Sequence, residues 1–223
     1  ANTTGTNTQI STSAFNSTDN NNMFVGYMYQ SNQVHGLTSS STIKGILEQW
    51  YQNNLTSVAD KIDGNAGFCG DRTPYSGSGA GTTATDYAAY NRLVNSKNPT
   101  FECTNENDLY TTSGSAQGNK ALQYPIGLIS ADEVAYAGGV FAASNTSYYL
   151  YTNSVYWTMS PSIFNGTYAF VFVVYSVGNL TDNIVYYTNG VRPVINLKAN
   201  VKITRGNGSS SNPYVIAWYV NDM

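Results

Sequence analysis

The stretch from Val155 to Leu197 constrains this chain more than any other. It is long, rich in aromatic and β-branched residues, and almost without charge. From Asn165 to Val191 Asp182 is the only charged residue, and Lys, Glu, Gln, Met and Trp do not occur. Such residues suit a pleated, half-buried surface. Alternation puts Val173, Tyr175, Val177 and Asn179 on one side and Val174, Ser176, Gly178 and Leu180 on the other. Val177-Gly178-Asn179 reads as a turn joining two strands, and Asn189-Gly190 as a second turn that tolerates positive φ. The stretch opens on the knot Tyr156–Pro161 (YWTMSP) and closes on Gly190–Leu197 (GVRPVINL), a turn feeding a buried strand. Tyr168, Phe170, Tyr175, Tyr186 and Tyr187 are too many large rings for one small hairpin to bury. The two ends therefore read as scaffold and the middle as a recognition surface. The plainer alternative is an ordinary β-sandwich face, where Tyr and Val are simply good strand formers.

At 223 residues the chain is one large domain, or one domain with an elaborate insertion, and can bury a sizeable core. Charged residues make up 10%, the net charge is −3 and the pI is near 4.9. No Lys/Arg stripe exists to release counterions, so a nucleic-acid partner is not expected. The 19 Tyr, with abundant Ser, Thr and Asn, instead make an uncharged hydrogen-bonding surface of the kind found on extracellular proteins and paratopes. No run of apolar residues is long enough for a membrane-spanning helix. The chain begins at Ala1 rather than Met, which leaves room for a cleaved signal or an upstream anchor.

Cys69 and Cys103 are the only cysteines and His35 the only histidine, too few soft ligands for a zinc site. In a secreted setting one disulfide, Cys69 to Cys103, is the default, and two free buried thiols are the alternative.

Residues 1–22 are Thr/Asn/Ser-rich and are expected to be a flexible lead-in or linker, with the domain running from 23 to 223. Met23–Tyr29 reads as the first strand. A helix follows, capped by Ser40, Ser41 or Thr42, with Ile43, Ile46, Leu47, Trp50, Tyr51 and Leu55 on one face. Residues 63–81 read as loop, with Asp71-Arg72 as a local ion pair. Gly77, Gly79 and Gly81 do not match the dinucleotide fingerprint. Thr85–Asn95 reads as a short helix carrying Tyr87, Tyr90, Leu93 and Val94 inward. Glu102, Glu106 and Asp108 lack EF-hand spacing and read as a solvated acidic loop rather than a calcium site. Tyr124–Ile129 reads as a buried strand running into Ser130-Ala131-Asp132-Glu133, a capping box that starts a helix ending at Gly138-Gly139. There Asp132 and Glu133 have a structural role at a helix N-terminus rather than a catalytic one. Val201–Thr204, Gly206-Asn207-Gly208 and Asn212–Ile216 read as a terminal hairpin, with Trp218 and Tyr219 over an edge.

The segments YPIGLISADEVAYAGG (124–139), YWTMSP, GVRPVINL and the terminal NPYVI resemble bacterial surface domains of the C-type-lectin-like, formylglycine-generating-enzyme-like fold, over about two hundred residues from Met23 to Ile216. Within that group the chain is most similar to the variable proteins of diversity-generating retroelements. In those systems adenines of a template are miscopied, so Asn codons become almost any NNY codon, and NNY codons cannot encode Lys, Glu, Gln, Met or Trp. The resemblance implies an α+β fold of mixed antiparallel strands, two or three short helices and long loops, with a variable region at about 165–191. It implies that Trp157, Pro161, Val171, Phe172, Val174, Gly178, Leu180, Val185, Gly190, Arg192 and Pro193 hold the frame. The displayed positions would be Tyr168, Phe170, Val173, Tyr175, Val177, Asn179, Thr181, Asp182, Asn183, Ile184, Tyr186, Tyr187 and Asn189. Arg192 reads as a buried structural cation bonded to backbone carbonyls.

The chemistry of relatives does not carry over. No Cys follows Cys103, where formylglycine-generating enzymes use a pair, and the calcium triplets of sugar-binding lectins are missing. No nucleophile–base pair is recognisable, so no enzymatic activity and no cofactor or metal are expected. The expected function is a non-enzymatic adhesin or surface receptor, extracellular on a bacterial cell surface. Its partner would be a protein or other surface ligand on another cell or phage, bound by rigid rings and adaptable amides. A pilin-like or filament subunit, or a lectin-like carbohydrate-binding domain, is the alternative.

Overall fold

A computed structural model describes residues 9–208, 212 and 214–218. The strands are Ser11–Ser13 (β1), Met28–Tyr29 (β2), Ser39–Ser40 (β3), Phe68–Cys69 (β4), Pro74–Ser76 (β5), Thr85–Tyr87 (β6), Leu109–Tyr110 (β7), Tyr156–Phe164 (β8), Ala169–Val174 (β9), Leu180–Ile184 (β10), Asn189–Val191 (β11), Val201–Arg205 (β12) and Val215–Trp218 (β13). The α-helices are Thr42–Asn54 (α1), Ala88–Tyr90 (α2), which continues as a π-helical turn through Asn91–Ser96, and Ala131–Ala137 (α3). The architecture is α+β.

One seven-stranded sheet organises the molecule, and β8 is its axis. Along one edge β8 pairs with β9, which pairs in turn with β10. On its other edge it meets β11 at Tyr156, in parallel, and β6 near Phe164, antiparallel. The register shifts on either side of Pro161, which has no amide N–H to give to the ladder. β12 and β13 form the separate terminal hairpin expected of that segment, whose Tyr219 lies outside the described residues.

The sheet separates two apolar cores. Trp157, Met159, Val171 and Val173 pack with Ile43, Leu47 and Tyr51 of α1. The intervening residues Tyr156, Phe172, Val174 and Leu180 pack with Ala131 and Val134 of α3 and with Ala89 and Leu93. With a core on each face, β8 and β9 have no solvent side, which is why β9 reads as a continuous apolar run. Helices α1 and α3 begin where the sequence predicts. Ser41 caps α1, accepting from the Lys44 N–H. Ser130 and Glu133 form the reciprocal capping box of α3, which ends at Gly138 with φ 119°. The Cys69–Cys103 disulfide is formed.

Several expectations are corrected. The lead-in is not loose over residues 9–22: β1 pairs with β11, and Phe15, Asn16 and Asn22 are buried. Backbone pairing needs no apolar pattern, so Ser-Thr-Ser carries no strand signal. Met23–Tyr29 is largely a 3-10 turn ending in β2, and Thr85–Tyr87 is strand rather than helix. Tyr124–Ile129 forms only an isolated bridge, Gly127 with Val194. Asp71 and Arg72 do not pair with each other. Arg72 is buried against Asp108 (Nε to Oδ1 2.7 Å), and Asp71 meets Arg92. Asp108 therefore lies in the interior and not in a solvated loop, also touching His35 Nδ1 at 2.9 Å. No described helix is long and apolar enough to cross a membrane.

Candidate ligand-binding surface

β9 and β10 form a hairpin whose middle is held inside the protein and whose ends emerge. The β9–β10 connection turns at Gly178, φ 82°, with its N–H donated to Tyr175 O and its carbonyl accepting from the Tyr148 hydroxyl. A Cβ there would also strike the Asn145 backbone, so glycine is required twice over. Residues 140–142 pair with Leu180 and cover that end of the β10 edge.

Tyr168, Tyr175, Val177, Tyr186 and Tyr187 are each 42–46% exposed. They form two groups. Tyr175 and Val177, with half-buried Asn179, lie in the β9–β10 turn. Tyr168 precedes β9, and Tyr186 and Tyr187 follow β10, their ring centroids 4.6 Å apart. A seven-residue step along a strand separates the two groups by roughly 20 Å. Phe170, Thr181, Asp182, Asn183 and Ile184 lie half-buried between them. The Tyr187 hydroxyl, followed by local burial, pushes the Tyr186 phenol above its ordinary value.

Two expected display positions are not displayed. Val173 is fully buried in the α1-side core, because β9 is sandwiched and its alternation chooses between two cores rather than core and water. The uninterrupted run Ala169–Val174 was the available signal. Asn189 is 9% exposed and sits in β11, between β1 and β8. Asn189-Gly190 is thus strand and not turn. The end of the Gln9 side chain crosses Gly190 to reach Val155 O, where a Cβ would displace it.

Asp182 accepts a 2.6 Å hydrogen bond from Ser162 Oγ. Burial raises its carboxyl above the ordinary value, against the lowering effects of Ser162 and of its own backbone N–H. Arg192 donates to Leu150 O at 3.1 Å and lies over the Tyr156 ring at 4.4 Å. Burial pushes the Tyr156 phenol up to about 12, with Arg192 opposing. The guanidinium fastens the 148–152 loop to β8, a framing role.

The more enclosed cavity lies elsewhere, beside the disulfide. Its Arg92 is already paired with Asp71 (2.8 Å) and Asp132 (3.0 Å), a contact the sequence reading missed because the partners are 21 and 40 residues away. What the hairpin ends offer chemically is contact area and neutral hydrogen bonds, from phenols and amides on a fixed backbone. No protein-family model, curated protein or solved structure matches the chain.

Proposed function

We propose that this chain is a non-enzymatic ligand-binding module of the C-type-lectin-like fold, a variable protein of a diversity-generating retroelement displayed outside a bacterial cell. Recognition runs through the two ends of the β9–β10 hairpin, with Tyr168, Tyr186 and Tyr187 at one and Tyr175, Val177 and Asn179 at the other. The observation that carries this reading is the division of labour within a single hairpin. Val171, Phe172, Val173 and Val174 are fully buried, while five large side chains just beyond them are exposed. Side chains there can be exchanged without disturbing the core. Tyr rings give contact area at small entropic cost, and a few such anchors support micromolar binding, about −8 kcal/mol. The disulfide and the lack of a long apolar helix among the described residues fit an extracellular setting. The partner is a protein or other surface ligand on another cell or phage.

The decisive experiment is to sequence the DNA around the gene and its sister copies. The expected result is a near-repeat of the 3′ end, differing only at adenines, beside a reverse transcriptase, with substitutions at the exposed hairpin positions and none at Val171–Val174. Equal substitution of buried and exposed positions would sink the proposal. A filament burying Tyr168, Tyr186 and Tyr187 between copies would replace it with a structural subunit.

A further inference from the structure

Asn-Gly occurs three times among the described residues, at Asn165-Gly166, Asn189-Gly190 and Asn207-Gly208, and the fold treats the three differently. Gly190 N–H is bonded to Val155 O at 3.0 Å inside the sheet. Gly208 N–H is bonded to Asn212 O at 3.2 Å. Asn165-Gly166 begins the four-residue turn from β8 to β9 and is exposed. Among the described residues nothing accepts from the Gly166 N–H, and the space a Cβ would fill there is open.

The Asn165 side chain is meanwhile held in a particular way. Its Oδ1 accepts from the Thr167 N–H at 2.9 Å and from the Tyr168 N–H at 2.8 Å. Two backbone donors on one carbonyl oxygen draw density from the carbon and receive the charge that develops when a nucleophile adds, as an oxyanion hole does. We propose that Asn165 is a self-modification site, at which the turn promotes attack of the Gly166 amide nitrogen on the Asn165 side-chain carbon. The new N–C bond closes a five-membered imide as the bond to Nδ2 breaks and ammonia leaves with the Gly166 proton. Water then opens the ring at either carbonyl, giving aspartate or isoaspartate. Each product carries a negative charge, three residues before Tyr168, into a segment whose only charge is Asp182. The isoaspartate route also lengthens the backbone of the turn by one carbon. The chemistry does not rest on the ligand-binding proposal, because its readout is the mass of a peptide.

The test holds the folded protein in mildly alkaline buffer, samples it over days, and reads deamidation and isoaspartate in the three Asn-Gly peptides by mass spectrometry. Protein unfolded in urea serves as the reference. Asn165 is expected to convert in the folded protein at least as fast as in the unfolded chain. Asn189 and Asn207 should be slowed by roughly tenfold or more, the suppression given by any opening that costs about 1.4 kcal/mol. Suppression of Asn165 to the level of Asn189, with rapid conversion of both in urea, would overturn the proposal.

Discussion

Val173 and Tyr175 stand two residues apart on one strand and its turn, yet one is core and the other surface. Val173→Thr keeps the shape but buries a hydroxyl, and is expected to cost about 1–3 kcal/mol. Tyr175→Ser removes far more atoms and should stay within about 0.5 kcal/mol, since its side chain is 46% exposed. Chemical denaturation of the two variants tests the division directly, and equal losses would contradict it. Asp182 makes a second prediction. Folding raises its pKa, so the native state binds more protons than the unfolded chain above the ordinary value of 3.8. Its contribution to stability is therefore fully present below that value and is lost as pH rises through the folded pKa. Asp182→Asn keeps an acceptor for Ser162 and removes the charge. It should flatten the fall in melting temperature over that window and leave neutral-pH stability equal or higher. An unchanged slope would place the pH dependence elsewhere.

Among the elements, α1 and α3 were legible because their signals are local. A cap and the residue it bonds lie three positions apart, as in Ser41 with Lys44 and Ser130 with Glu133. Strands were legible where a turn signal joins them, as in β9 and β10 on either side of Gly178, and not where they are two or three residues of Ser, Thr or Asn. Such short strands exist only because a partner presents free backbone groups. The disulfide ties β4 to the loop at Cys103 across 34 residues. Replacing both cysteines by Ala should cost roughly 3–4 kcal/mol in the chain-entropy model. Urea titration measures it, and a loss near zero would mean that the ion pairs of Arg72 and Arg92 already hold that loop.

Over the whole molecule, residues 9–22 contribute to the sheet and the core. Phe15 meets Trp157 edge-on at 5.8 Å, donates its N–H to Val185 O and accepts from the Ile43 N–H. Phe15→Ala should cost about 3–5 kcal/mol, a value a loose linker could not produce, and thermal unfolding will distinguish the two. The sequence by itself determined the starts of α1 and α3, the single disulfide as default, and the neutral, ring-rich character of the hairpin. Each of these follows from composition or from contacts between near neighbours in the chain. Only the tertiary structure decided that β9 lies between two cores, that Asn189 is interior, and that Arg72 answers Asp108 rather than Asp71. It alone parted the exposed rings into two groups. Those outcomes depend on which segments cover which strand faces and edges, and that coverage comes from residues tens to more than a hundred positions away. No local pattern encodes it.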